Sequence, residues 1–207
     1  IIVLQTIFNR RIPFLKFFIK RELIWMPFLG IAWWAMDMPF MKRYSKTYLK
    51  KYPNKRGQDF LATKKACDKF RDVPTTVINF VEGTRFTREK KSISDSPYSS
   101  LLKPRAGGIA LAIDAMGDMF DKILDVTIVY PQGVTSFWDL LCGRFSQVGV
   151  EVEKRTIEKW MINSDYQNNY NDRERFHLWL SEIWEQKDKK INMMIESYNM
   201  KRTDNFS

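Results

Sequence analysis

The sequence predicts an α/β fold with a mostly parallel or mixed central sheet, flanked by helices on both faces. Segments with helical periodicity alternate along the chain with short β-branched and aromatic runs, which is typical of parallel sheets. The chain has 207 residues, 44% of them hydrophobic, so it can bury a full-sized core. We assign residues 1–207 to a single domain, with 156–207 as a C-terminal helical extension.

The first elements alternate in type. We expect a helix at 1–9, a strand at 14–19, a helix broken at Pro27 over 21–35 and a strand at 36–41. Residues 44–57 contain Pro53 and Gly57 and form a basic connection.

The middle of the chain continues this order. Residues 58–71 place apolar side chains at helical spacing with lysines outside, and Pro74 ends the helix. A buried strand follows at 75–81, where β-branched residues dominate. Residues 89–100 are polar and rich in serine, so we expect a mobile connection there.

The last elements are an apolar helix at 106–116, a buried strand at 124–130, an edge strand at 147–153 and a long charged helix or helix pair at 171–200. From Lys187 onward this helix is rich in lysine, and we expect a solvated face.

Basic charge is concentrated at the start of the chain. Residues 1–57 hold 12 Lys and Arg against only Glu22 and Asp37, which accounts for the whole net charge of +10. They also hold 12 of the 30 aromatic residues. This mixture suits an anionic lipid headgroup layer, where each basic side chain contributes about 1 kcal/mol. A basic surface over an aromatic core is the alternative.

No segment of the sequence is a complete transmembrane helix. The best candidate, 23–41, contains two prolines and Asp37, and an interior proline alone costs a helix about 3 kcal/mol. Cys67 and Cys142 lack metal or redox spacing, so we expect free thiols and no metal site.

The most informative pattern is a buried strand followed by the residues Glu82, Gly83, Thr84 and Arg85. Glycine lets the backbone approach a ligand, the hydroxyl can donate, and a guanidinium forms bidentate bonds with phosphate. Ligands of open α/β sheets bind at the carboxyl ends of strands. The turn therefore indicates a substrate that carries phosphate.

The pattern continues through residues 80–87 (FVEGTRFT) and 101–108 (LLKPRAGG), with upstream and downstream matches at 19–23 (IKREL), 27–30 (PFLG), 36–43 (MDMPFMKR) and 125–130 (DVTIVY). It resembles the 1-acylglycerol-3-phosphate O-acyltransferase family, of the glycerolipid acyltransferase superfamily, close to the branch with lysocardiolipin and lysophosphatidylinositol acyltransferases. The resemblance covers about residues 1–135.

The resemblance implies substrate-binding roles for several residues: Glu82, Gly83, Thr84 and Arg85 on the acceptor phosphate, and Arg43 in a second substrate-binding block. Lys20 and Arg105 stay open between phosphate steering and surface charge. We expect Glu82 to be an ionised orienting group that bonds the turn's own backbone.

One departure from the family concerns catalysis. The family uses a histidine followed five positions later by an aspartate, upstream of all these motifs. The only histidine here, His177, lies between Phe176 and Leu178 in a charged helix, so we expect no catalytic role for it. We expect the chain to be a fragment that holds no catalytic residue and is inactive alone, with the dyad before Ile1. Asp125, where many relatives carry proline, marks the branch.

The expected reaction moves an acyl group directly from acyl-CoA or acyl-carrier protein to the free hydroxyl of 1-acyl-glycerol-3-phosphate, giving phosphatidic acid, without a resident cofactor. The expected partners are the lysophospholipid, the acyl thioester and an anionic membrane surface, at the cytoplasmic face of the inner or plasma membrane, but no nucleic acid. The alternatives are another lysophospholipid acyltransferase, an inactive relative, or a non-catalytic module that binds anionic membrane or nucleic acid.

Overall fold

The computed structural model describes residues 2–41, 51–52, 64–65, 67–131, 133, 138–139, 142–144 and 147–204. The α-helices described throughout their length are α1 (Ile2–Phe8), α2 (Leu29–Ala35), α3 (Arg88–Ser94), α4 (Ala106–Met116), α5 (Lys159–Ile162) and α6 (Tyr170–Asp204). The strands are β1 (Leu15–Phe17), β2 (Ile19–Lys20), β3 (Phe40–Met41), β4 (Thr76–Ile78), β5 (Ile123–Val129) and β6 (Gly149–Arg155).

These elements belong to two compact units. Unit 1 comprises residues 1–80, 107–120 and 161–163, and unit 2 comprises residues 81–106, 121–160 and 164–207. The assignment of the whole chain to a single domain stays a prediction.

Unit 1 contains two short parallel strand pairs. Strand β1 pairs with β4, with Leu15 opposite Thr76, and β2 pairs with β3, with Ile19 opposite Phe40. Helix α4, apart from its first residue, packs in this unit, and Ala115 and Met116 join a buried apolar cluster. The apolar run that predicted this helix is buried because most of its side chains are small enough to pack closely.

The expected break at Pro27 is confirmed. A 3₁₀ helix ends at Trp25, and α2 begins at Leu29. Gly30 is required at the start of α2, because a Cβ atom there would lie 1.9 Å from the carbonyl oxygen of Ile24. In the described part of the chain, none of the helices combines the length and the apolar character needed to cross a bilayer.

Unit 2 is built on an antiparallel pair and the long C-terminal helix. Strands β5 and β6 pair from Ile123 opposite Arg155 to Val129 opposite Gly149. Helix α6 contacts β5. It buries one stripe at helical spacing, formed by Phe176, Leu180, Ile183, Lys187 and Ile191.

The expectation of a solvated face from Lys187 onward was wrong at its first two residues. Lys187 and Asp188 are buried. Lys187 pairs with Asp125 and donates to the carbonyl oxygen of Val126 at 3.0 Å, so its charge is compensated inside the protein. Arg155 also pairs with Asp125, at 3.0 Å.

The expectation of a connection without regular structure at 89–100 was wrong for its first half, which is helical up to Ser94, and the mobility of the segment stays a prediction. Helix α3 begins after Thr87, whose hydroxyl accepts a hydrogen bond from the backbone N–H of Lys90 at 3.2 Å. Asp95 ends the helix in the left-handed conformation, with φ of 47°. The first part of this polar segment is therefore a short helix that the side chain of Thr87 caps at its N-terminus.

The α/β class is confirmed, with both parallel and antiparallel pairing. Within the described residues the strands pair two by two. Most of the predicted elements have counterparts, although β1, β3 and β4 are shorter than the runs that predicted them, with only two or three residues each. The predictions over most of 44–57 and most of 58–71 lie outside the described residues.

Candidate functional site

The predicted phosphate-binding turn lies at the start of unit 2. Gly83 has φ of 70°, in the left-handed region that favours glycine. Thr84 and Arg85 are exposed. Among the described residues, the guanidinium of Arg85 has no ion-pair partner, so its five N–H donors remain available to a ligand.

Arg105 lies beside this turn. Its backbone N–H donates to the carbonyl oxygen of Val81 at 2.9 Å. Its Cδ and Nη1 atoms lie 3.7 Å from the position that a Cβ atom on Gly83 would occupy. Two residues that are distant in sequence, Gly83 and Arg105, are therefore neighbours. A Cβ atom at 83 would make only an ordinary van der Waals contact with the arginine, so the positive φ rather than a lack of space favours glycine there.

Lys90 adds a cation that the sequence analysis missed. Its ammonium group donates to Oγ1 of Thr84 at 2.7 Å and to the carbonyl oxygen of Arg85 at 3.3 Å. The missed signal was local: Thr87 is a good N-cap residue, and Glu89 follows in the first turn, where an acidic side chain is favourable. A helix starting there places Lys90 one turn in.

Glu82, the first residue of the turn, is half-buried. Burial raises the pKa of its carboxyl group above the ordinary value of 4.5, while a hydrogen bond from the backbone N–H of Leu102 and the positive charge of Lys187 lower it. Its backbone partner thus lies outside the turn, whereas we had expected a bond within it. The reason is that the segment from Leu102 to Arg105 runs alongside the turn and brings the Leu102 N–H within reach.

The arrangement favours an anion. Three cationic residues lie in or beside one short turn that also has a hydroxyl and a left-handed glycine. Arg85 belongs to the turn, the ammonium of Lys90 contacts Thr84, and the side chain of Arg105 lies beside Gly83. The ammonium of Lys90 uses Oγ1 of Thr84 as an acceptor, which leaves the hydroxyl hydrogen free to donate to a ligand oxygen. Chemically, this set of cations and hydrogen-bond donors is suited to a phosphate group.

The other candidate residues lie in different parts of the chain. Lys20 ends strand β2 in unit 1, opposite Met41. Arg43 lies outside the described residues. His177 is exposed on α6, with its ring 6.3 Å from the ring of Tyr166. Roles for Lys20 and Arg43 in substrate binding stay predictions.

Comparisons with known proteins bear on the function of this site. The acyltransferase family model matches residues 1–131. The chain is 26% identical over 135 residues to lysocardiolipin acyltransferase 1 of Gallus gallus, an alignment that covers 59% of this chain and 33% of that protein. It is 23% identical over 184 residues to 1-acyl-sn-glycerol-3-phosphate acyltransferase delta of Mus musculus, covering 84% of this chain and 43% of that protein.

The chain thus spans between 33% and 43% of the length of these curated relatives. No solved structure matches it significantly. The family model, in contrast, covers well over half of the 207 residues and includes the turn from Glu82 to Arg85. The chain belongs to the acyltransferase family.

Proposed function

We propose that the complete gene product transfers an acyl group from acyl-CoA or acyl-carrier protein to the free hydroxyl of 1-acyl-glycerol-3-phosphate, and so forms phosphatidic acid. The observation that supports this proposal is the contact of Lys90 and Arg105 with the turn that contains Arg85. A phosphate monoester carries about −1.5 to −2 charges near neutral pH, so it suits a site with several cations better than a zwitterionic diester does.

The chemistry needs the acceptor hydroxyl to be held next to an acyl thioester. The hydroxyl oxygen attacks the thioester carbonyl and the hydroxyl proton passes to a base. The new C–O bond replaces the C–S bond, and the leaving thiolate takes the proton back from the base and departs as the thiol. Fixing the acceptor by its phosphate makes this encounter intramolecular, which can supply about 7–11 kcal/mol. The resemblance assigns the base to a His-x4-Asp segment, which does not occur among these 207 residues.

Binding measurements test the phosphate site independently of catalysis. We expect Arg85→Ala to weaken binding of 1-acyl-glycerol-3-phosphate about tenfold, since hydrogen bonds to charged groups contribute about 1.5–3 kcal/mol and the site is open to solvent. Arg85→Lys keeps the charge but loses the fork, so its effect should be intermediate. Lys122→Ala removes an exposed cation of unit 2 outside the turn and serves as the control. Equal affinity in all four proteins would refute the phosphate role.

Lysocardiolipin is a second candidate acceptor, because two of the matched relatives, from Gallus gallus and Danio rerio, are named lysocardiolipin acyltransferase 1. Acyl transfer by the complete gene product to a panel of lysophospholipids, including lysophosphatidylinositol, tests the choice. Highest kcat/KM on 1-acyl-glycerol-3-phosphate supports the first proposal, and highest kcat/KM on lysocardiolipin replaces it with the second.

We propose that the protein acts at an anionic membrane surface, on the cytoplasmic face of the inner or plasma membrane. In unit 1, Trp25 and Phe28 are 86% and 87% exposed, and Ile31 and Trp34 are also exposed. Such side chains favour the lipid interface over water. They lie within residues 1–57, whose net charge of +10 favours anionic lipids.

Vesicle binding tests this placement. Wild type should sediment with vesicles that contain anionic lipid and less with purely zwitterionic vesicles, and Trp25→Ala with Phe28→Ala should weaken the binding. Val73→Ala, at another exposed apolar residue of unit 1, is the control. Stronger binding to single-stranded DNA than to anionic vesicles, with a steep salt dependence, would instead support a nucleic-acid module.

A further inference from the structure

We propose that helix α6 positions the phosphate-binding turn, with Trp184 and Asp188 as positioning residues for the lipid acceptor. This inference rests on the proposed function. Helix α6 begins at Tyr170, beyond the residues 1–131 that the acyltransferase family model matches. The helix therefore adds to the family site from outside the matched region.

Residues 99–102 are held on helix α6 by hydrogen bonds from their backbone to its side chains. Asp188 accepts hydrogen bonds from two consecutive backbone N–H groups, from Ser99 to Oδ2 at 2.7 Å and from Ser100 to Oδ1 at 2.8 Å. Nε1 of Trp184 donates to the carbonyl oxygen of Leu102 at 3.0 Å. Trp184 and Asp188 are four residues apart on one helix face, and both are buried.

The segment that begins at Ser99 is also hydrogen-bonded to the turn and to the residue before it. Leu102, whose carbonyl oxygen is held by Trp184, donates its own N–H to the carboxyl group of Glu82. Three residues later, the N–H of Arg105 donates to the carbonyl oxygen of Val81. The helix, the segment and the turn thus form one continuous chain of hydrogen bonds.

The position of this segment affects the protein side chains that would bind the phosphate. The side chain of Arg105 lies against Gly83, so the position of the segment sets where one of the three cations stands. A phosphate held by several donors tolerates little displacement, because hydrogen bonds weaken steeply with distance and angle. Loss of the hydrogen bonds that Trp184 or Asp188 makes, which we call the anchors, should therefore weaken binding of the lipid acceptor. Binding of the acyl thioester should stay unchanged.

The test uses two conservative variants of the complete gene product, Trp184→Phe and Asp188→Asn. Trp184→Phe keeps an aromatic ring but removes the donor to Leu102, and Asp188→Asn keeps one acceptor oxygen. The matched controls on the same helix are Trp179→Phe, at a half-buried tryptophan, and Glu182→Gln, at an exposed carboxylate. The measurements are KM for 1-acyl-glycerol-3-phosphate, KM for acyl-CoA, kcat and Tm.

We expect each anchor variant to raise the acceptor KM about two- to tenfold, as the loss of one hydrogen bond predicts, with kcat and the acyl-CoA KM unchanged. The control variants should keep all three kinetic values. A change that appears only in Tm, or that raises both KM values together, overturns the inference, because it would indicate general loosening of the fold.

An Arg85→Ala variant separates this inference from the proposed function. If Arg85→Ala leaves the acceptor KM unchanged, the phosphate site itself fails. If Arg85→Ala raises that KM while the anchor variants do not, only the positioning role of α6 fails. Because the anchors act through the position of Arg105, Trp184→Phe should add little to the acceptor KM in an Arg105→Ala background, whereas full additivity there contradicts the proposal.

Discussion

Replacement of Lys187 by methionine should destabilise unit 2 strongly. The lysine side chain is 8% exposed and its partner Asp125 is 12% exposed, so both charges are largely removed from water. Removing one member of a buried pair costs about 3–5 kcal/mol, because the remaining charge loses its compensation. Arg155 still pairs with Asp125 at 3.0 Å, so we place Lys187→Met near the lower limit, at about 3 kcal/mol.

Urea unfolding followed by far-ultraviolet circular dichroism measures this loss. Lys189→Met, at the exposed lysine two positions further along α6, should change the free energy of unfolding by less than about 0.5 kcal/mol. In the double variant Lys187→Met with Asp125→Leu, no buried carboxylate is left unpaired at this position. The guanidinium of Arg155 keeps its salt bridge with the carboxylate of Glu153, at 2.7 Å. The double variant should recover much of the loss. The reasoning is refuted if Lys187→Met costs less than about 1 kcal/mol, or if the two substitutions are additive.

Three further predictions concern the turn. Because burial raises the folded-state pKa of Glu82, wild type should lose stability as pH rises from about 4.5 through that pKa, and Glu82→Gln should lose less; parallel stability curves against pH would contradict this. Gly83→Ala should cost about 1–2 kcal/mol through backbone strain and should also weaken acceptor binding. Gly143→Ala, at a similar φ of 64° outside the turn, should cost stability but leave binding intact. Thr87→Ala should cost about 0.5–2 kcal/mol and weaken binding by loosening Lys90, whereas Thr87→Ser should restore both, as calorimetry and titration with the lipid can show.

Local sequence signals predicted much of the fold. The continuous apolar run at 106–116 predicted the bounds of α4, and Pro27 predicted the break before α2, because both depend on neighbours along the chain. Helix α3 was missed because serine and lysine are common in loops as well as on exposed helices. The cap at Thr87 was the decisive local signal there.

The site was predictable only in part for a different reason. The turn at Glu82 to Arg85 was visible as a motif, but the partners of its residues come from elsewhere. The N–H group bound to Glu82 belongs to Leu102, and the charge that acts on it belongs to Lys187. No periodicity within a short window reports on such contacts, since they depend on how distant segments pack.

The buried lysine of α6 also determines how this helix is seated. Its stripe runs Phe176, Leu180, Ile183, Lys187 and Ile191, with one charged group among hydrocarbon side chains. A slip by one helical turn, about 5.4 Å, would carry the ammonium group away from Asp125 and into apolar surroundings. A single residue inserted before it would rotate it by about 100°. This salt-bridged position therefore helps to fix the axial register of a 35-residue helix, together with the hydrogen bonds of Trp184 and Asp188.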